Sequence, residues 1–532
     1  MSHDFEPTLA EAQRHYAAGR FDEAARLLQS VLASAPDHGE AHAGLGFIAA
    51  RQGDHARAAA HLLEASTRIP MPVDDLNFAA QVCQSAQRHD DAIALFERCL
   101  AQLPNHIASL HGAAMSLVQV GDLPRALEKL EHLCKLQPQS AEAHYNRGTL
   151  LGQMERFDDE RTAYEQAIRL KPRFVPAYTN LGVALRDLGR FDEAMLQFKK
   201  ALAIDPNDAG ARTNRAQTNL LRGEFEHGWR EYEWRWRDGT MSHGLPESTQ
   251  WTGAQPIAGK TVFVHQEQGF GDTLQFVRFV ERLTAMGARV VLRVQDALLP
   301  LLQHYRGAAD VIGERAPVPA FDYHIPMLSL PLALKLREAD FDTAGPYLHA
   351  PESLVAQWDD LFAQASGRPR VGIVWSGSRM LLNDRNRNRA IPLEQLQPLF
   401  DAQADFVSLQ HDVRDSDRAS LAEIETRGVL RDVAPRLTSF ADTAALIARL
   451  DLVIGVDTAV VHLAGALGKP VWIALPFMPD WRWQLERSDS PWYATARLFR
   501  QPARGDWTGV IASLRARLEA GTPHAQVSKP AR

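Results

Sequence analysis

Three cysteines in 532 residues, Cys83, Cys99 and Cys134, are too few and too far apart to frame a disulfide scaffold or a thiolate metal site. They lie in helical-looking sequence and read as small core residues of a reduced compartment. Long apolar runs are missing as well: the most hydrophobic stretch is broken by His462, Lys469 and Pro470. The N-terminal MSHDFEPTLAEAQRH has neither the basic nor the apolar region of a signal peptide. Charge of one sign is absent, since 58 Lys and Arg face 65 Asp and Glu for a net of −7, and no block of like charges stands out. That balance excludes a nucleic-acid footprint. No His/Glu/Cys constellation has metal-ligand spacing. The expectation is a soluble, cytoplasmic protein with no membrane span, no nucleic-acid partner, no cofactor and no metal site. Its length suits roughly three domains.

What is present begins with a period. Prolines stand at 36, 70, 104, 138, 172 and 206, each 34 after the last (70−36, 104−70 and onward). Twenty-four residues before each proline stands a small residue, Ala12, Gly46, Ala80, Ala114, Gly148 and Gly182. Twelve before each stand Ala24, Ala58, Ala92, Ala126, Glu160 and Ala194. Small residues at two fixed phases are what two helices of a hairpin need where they touch. The phrase GRFDEA, at 19–24 and again at 189–194, marks the turn between them. The pattern resembles a tetratricopeptide array, and Tyr178, Leu181, Gly182, Ala194, Phe198 and Pro206 match that motif position by position. A seventh unit from about Asp208 has Thr240 in place of the proline and reads as a cap.

Such arrays hold a protein or an extended peptide. Two residues before the small position, the later repeats carry Asn146, Asn180 and Asn214, and the earlier ones Ala10, Gly44, Phe78 and Gly112. An amide donates and accepts at once, so a row of asparagines can grip a peptide backbone without reading its side chains. It resembles the asparagine ladder of eukaryotic O-GlcNAc transferase. The competing reading is that each asparagine bonds the neighbouring repeat.

Beyond Trp236 the period ends. Asp238 to Gly259 reads as a linker, and Lys260 to His265 alternates toward a strand. QEQGFGDTLQ then places Asp272 at the mouth of a sheet, on the carboxyl side where α/β folds bind ligands. Arg289–Arg293 and Tyr323–Pro326 continue this domain. Val371–Trp375, Phe406–Gln410, Val429–Val433, Leu452–Gly455 and Val471–Leu475 give five strands of a second domain, with a helix over Asp442–Leu450. Alternating β and α elements predict parallel sheets, and two such domains face to face predict a cleft. GVDTAVVHLAGALGKPVW, Gly455 to Trp472, reads as a buried strand feeding a helix, with Asp457 and Thr458 supplying cap chemistry and the helix dipole favouring an anion. The same segment also suits an ordinary strand-helix-strand unit with a buried histidine. The domains expected are 1–240 (repeats and cap), 250–360 and 368–520.

QEQGFGDTLQF, VGIVWSGS, NDRNRNRAIPL, VSLQ and GVDTAVVHLAGALGKPVW, in that order, resemble the heptosyltransferase-like glycosyltransferases, family 9-like, of the two-domain GT-B fold. Bacterial proteins that join tetratricopeptide repeats to such a domain, some of which modify flagellin, are more similar still. The resemblance covers about Trp251 to Trp483. It implies an α + α/β chain, an all-α solenoid followed by two Rossmann-like domains, that moves a sugar from a nucleotide sugar to a protein hydroxyl without a metal. By the same resemblance Asp272 is the general base, with a helix cap as its other reading. Arg385, Arg387 and Arg389 meet the diphosphate, with a solvated surface loop as their other reading. Asp457, Thr458 and His462 lie beside the donor, His462 on phosphate or sugar. Gln410 is either a nucleotide contact or a loop amide. Ala459 stands where heptosyltransferases usually have glycine, which separates this chain from a direct user of ADP-heptose. Flagellin is a candidate acceptor by resemblance alone. The rivals are an inactive scaffold and a transferase for a glycan or lipopolysaccharide acceptor. Asp272, Arg387 and His462 in one cleft favour the enzyme.

Overall fold

The structure is a computed structural model that describes residues 5–237, 239, 241–341, 345–363, 366–377 and 389–521. The chain divides into two compact units, Met1–Asp205 and Pro206–Arg532.

The first unit contains twelve helices among its described residues, from Glu6–Ala17 to Phe191–Ile204, packed as successive hairpins. The small residues are explained by what faces them. A Cβ at Gly148 would stand 2.8 Å from the Tyr164 ring, and one at Gly182 would stand 2.5 Å from Phe198. Glu160, the exception to the alanine phase, is fully buried against Gly152, where a Cβ would come within 2.5 Å of its carboxylate. The residue that turns the chain between helices is left-handed throughout, glycine at Gly19 (φ 73°) but Gln87 and Glu155 (φ 59° each) in two repeats.

The second unit begins with the seventh hairpin, Ala209–Leu221 and Phe225–Tyr232. Its aromatic residues account for that membership. Trp229 meets the rings of Phe276, Phe341 and Trp481, and Phe225 meets Phe341 and Trp492, so these helices share a core with the sheets. The compact division falls at Asp205/Pro206, upstream of the expected boundary at 240.

Two parallel sheets follow. The first has the order β3-β2-β1-β4, with β1 Thr261–His265, β2 Arg289–Val294, β3 Asp310–Gly313 and β4 Tyr323–Pro326. The second has the order β10-β9-β8-β5-β6-β7, with β5 Arg370–Val374, β6 Asp405–Ser408, β7 Leu430–Arg431, β8 Leu452–Val456, β9 Val471–Leu475 and β10 Ala496–Arg500. β8 and β9 are buried at every position, as their unbroken apolar runs require of a sheet covered on both faces. The sequence reading passed over β3 and β10; both are edge strands with exposed residues and lack that signature. The expected linker is laid against β4: Trp251 is buried and its backbone N–H donates to the His324 carbonyl at 2.8 Å. No helix among the described residues is long and apolar enough to cross a membrane.

His265, at the end of β1, lies with its Nε2 3.3 Å from Nδ1 of His324 and with the His243 ring beside both. Burial, together with these imidazoles, lowers its pKa from 6.5 to about 3. The unfolded chain therefore binds a proton there that the native protein refuses. The stability so gained is fully present above the unfolded value and is lost as pH falls from 6.5 toward 3. All eleven tryptophans lie from Trp229 onward, so tryptophan fluorescence reports unfolding of the second unit alone. Its urea stability is expected to fall between pH 6.5 and 5 with a slope contribution of about 1.4 kcal/mol per pH unit from this residue. His265→Gln should flatten that slope; an unchanged slope would refute the assignment.

Candidate functional site

The second sheet runs, from one edge, β7-β6-β5-β8-β9-β10. Numbered by chain order within the sheet, this is the doubly wound 3-2-1-4-5-6, whose order reverses between β5 and β8. A crevice opens at the carboxyl ends of those two strands. Val374 pairs with Gly455, and the chain beyond continues as Trp375-Ser376-Gly377 on one side and Val456-Asp457-Thr458 on the other.

Thr458 is the N-cap of the Ala459–Ala466 helix, yet its side chain makes no capping bond, contrary to the cap chemistry expected of it. Its Oγ1, and Oγ of the buried Ser376, are shielded from solvent and have no hydrogen-bond partner among the described residues. Shielded hydroxyls without partners cost free energy unless something else supplies the bond. Here they adjoin the positive end of a helix. Arg389 contributes a cation: a Cβ at Gly377 would stand 3.3 Å from its Nε and Nη2. Hydroxyls, free helix amides and a guanidinium around one crevice make a seat for an anion.

Asp457 and His462 lie behind that seat. His462 Nε2 is 3.7 Å from Asp457 Oδ1, an ion-pair separation rather than a hydrogen bond, and its Nδ1 is 2.8 Å from the Tyr493 hydroxyl. Trp483 stacks on its ring at 5.2 Å. Burial raises the Asp457 carboxyl, but His462, with Arg389 and Arg482 at longer range, outweighs it and holds the group below the ordinary aspartate value.

The β1 side brings Asp272 to the same place. It lies in the first turn of the Phe270–Phe276 helix, and its Oδ2 accepts from the Gly269 backbone N–H at 2.8 Å. Gly271 makes the approach possible, since a Cβ there would come 2.9 Å from Cδ2 of His462. The other oxygen, Oδ1, pairs with Arg482 Nη2. Arg482 is 8% exposed, spans Asp272, Asp480 (2.8 Å) and Gln275 (2.7 Å), and lies over the Trp481 ring at 4.2 Å. Burial raises the Asp272 carboxyl above its ordinary range, opposed by Arg482, whose charge is shared with Asp480. The helix-cap reading of Asp272 thus describes one oxygen and the ion pair the other. Each carboxylate oxygen keeps a second lone-pair site.

Residues 402–475, from the turn before β6 to the end of β9, match the glycosyltransferase family 9 (heptosyltransferase) profile, and 9–70, 111–172 and 145–209 match a tetratricopeptide repeat profile. The chain thus joins tetratricopeptide repeats to a region that matches glycosyltransferase family 9 over residues 402–475. It is 26% identical over 512 residues to the protein FlbA of Caulobacter vibrioides, covering 92% of this chain and 80% of that one. Among solved structures, MamA aligns with 32% of this chain and 95% of its own at 21% identity and a TM-score of 0.28. A tetratricopeptide protein of Parabacteroides merdae aligns with 44% and 93% at 17% identity and 0.34.

Asp457, Thr458 and His462 lie within the matched residues 402–475, Asp272 and Arg389 come to them from outside that range, and Arg385 and Arg387 lie outside the described residues. Gln410 is spent on the fold: its Oε1 accepts from the Trp375 and Ser376 backbone N–H groups at 3.1 and 3.0 Å, and its Nε2 donates to the Ser376 and Asp412 carbonyls. It fastens the Ser376 turn instead of reaching outward. The asparagines are likewise engaged with protein. Asn146 Nδ2 is 3.2 Å from His111 Nε2, Asn180 donates to the Tyr145 and Tyr164 hydroxyls, and Asn214 donates to the Gly210 carbonyl. For Asn146 and Asn180 these partners belong to the preceding repeat, the competing reading of the ladder. Asp415-Ser416-Asp417 is an Asp-x-Asp string of the kind metal-dependent transferases use, but Asp417 accepts from the Trp375 indole at 3.1 Å and from the Leu393 N–H, and Asp415 pairs with Arg418. Arg482 and Ser376 escaped the sequence reading. Arg482 lies in MPDWRW between Trp481, which is buried under Trp229, and Trp483, which backs His462.

Proposed function

We propose that this protein transfers a sugar from a nucleotide sugar to a hydroxyl, of Ser or Thr, on a protein recruited by the repeats. The observation that carries the reading is the pair of hydroxyls, Ser376 and Thr458, without partners among the described residues, at the reversal of strand order beside Arg389. A diphosphate supplies acceptors for both hydroxyls, for the first amides of the Ala459–Ala466 helix and for the guanidinium. These groups take up the charge that develops as the bond from the sugar's anomeric carbon to phosphate oxygen breaks and the diphosphate departs with its electron pair. The acceptor oxygen forms the new bond, and its proton goes to Asp272. The environments of the two aspartates support this division: burial raises Asp272, as a base requires, while His462 and the arginines hold Asp457 ionised. Arginines and helix amides stand in this scheme where a metal-dependent transferase uses a cation. A protein acceptor, flagellin being one candidate, is favoured over a glycan because repeat arrays hold polypeptides.

The test is to incubate the full chain with a panel of nucleotide sugars and lysate from a strain lacking it. A mass increase on a protein is expected; its absence with every donor overturns the reading. Thr458→Val and Arg389→Ala should each weaken donor binding about ten-fold or more, the worth of a hydrogen bond to a charged group. Unchanged affinity in both would place the diphosphate elsewhere.

A further inference from the structure

Asp272 is reached from β1 through Gln266–Phe270, and that passage contains a strained residue. Gln268 has φ 57°, a left-handed conformation that strains any residue with a side chain. Its neighbours pin it. Glu267, buried, is held by Arg235 in two parallel bonds of 2.8 and 2.9 Å and accepts from the Leu328 N–H at 2.7 Å. The Gln268 side chain donates to the Tyr232 hydroxyl at 3.1 Å, and the next N–H, of Gly269, is the one that binds Asp272. Tyr232 and Arg235 both come from the end of the last repeat hairpin and the turn after it, within the second unit. Tyr232 also packs against Trp229 and Trp481, the latter adjoining Arg482.

We propose that Tyr232 is a positioning residue for Asp272: its hydroxyl holds Gln268 in the left-handed conformation that delivers Gly269 and Asp272 to His462 and Arg482. This rests on Asp272 being the base of the proposed transfer. The last repeat is then a working part of the transfer site as well as the end of a binding surface.

Tyr232→Phe keeps the ring and its packing and removes one hydroxyl. It is expected to lower kcat about five-fold, the worth of one hydrogen bond, with the donor KM within two-fold of wild type. Adding Gln268→Gly should restore most of the rate, because glycine holds a positive φ without an anchor. A residue that served only stability would not be rescued this way. Hydrogen exchange of the 266–276 segment gives a readout independent of turnover: faster in Tyr232→Phe, restored in the double variant. Faster exchange with rescue, in a protein that transfers no sugar from any donor, would sustain the positioning and overturn the proposed function. A wild-type enzyme that transfers, with kcat and exchange unmoved by Tyr232→Phe, or lowered and not rescued, would overturn the positioning alone.

Discussion

Asp272→Asn should lower transfer on the order of a thousand-fold while leaving the fold and nucleotide binding intact. A positioned general base is worth about 10² to 10⁴ in rate, and an amide cannot take the acceptor proton. The variant is informative because asparagine preserves the bond from Gly269 and gives up, besides the base, only the pairing with Arg482. Its Oδ1 can still accept from the Gly269 N–H, and Arg482 keeps Asp480 at 2.8 Å. Donor affinity should be unchanged, since the diphosphate seat proposed above consists of Ser376, Thr458 and Arg389. Because burial raises the Asp272 carboxyl, the acid limb of the wild-type pH profile should lie above the ordinary aspartate range. Product measured by mass spectrometry, beside nucleotide titration of the same preparation, decides the matter. Near-wild-type turnover would remove Asp272 from the chemistry.

Arg482→Met is expected to cause the largest loss of stability, about 3–5 kcal/mol, because it strands two largely buried carboxylates, Asp272 and Asp480. The methionine fills most of the space over Trp481 and Gln275 but supplies no charge. Unfolding followed by tryptophan fluorescence isolates the effect, since the first unit has no tryptophan. Adding Asp272→Asn to Arg482→Met should recover part of the loss by removing one uncompensated charge. No loss in the single variant, or no recovery in the double, would show that the ion pair is not what joins the Asp272 turn to the Trp481 turn.

The elements most legible in the sequence were those whose signal is local. The repeat period is written by contacts within one hairpin, so small residues facing Tyr164 or Phe198 recur on schedule. β8 and β9 announced themselves because a strand covered on both faces is apolar at every position. Edge strands β3 and β10 did not, being partly exposed. For the site, the turn at Asp457–Thr458 could be found from its strand and helix, whereas Arg482 could not. It pairs with a residue 210 positions earlier, and no spacing rule reaches that far. The asparagines show a complementary limit: the residue type suits holding a peptide, but type alone does not say that an amide nitrogen already meets a Tyr145 or His111 side chain.

By itself, then, the sequence determined that helical hairpins repeat every 34 residues and that parallel strands alternate with helices beyond them, because periodicity and apolar runs are set by each element's own neighbours. The tertiary structure decided which residues share a site. The reversal of strand order between β5 and β8 opens the crevice and leaves Ser376 and Thr458 without partners among the described residues, while close packing at Gly271 and the reach of Arg482 bring Asp272 to His462. The same packing places the seventh hairpin in the second unit, where its aromatic rings find a core. Such outcomes depend on sheet order and on contacts between distant segments, which no window of sequence contains.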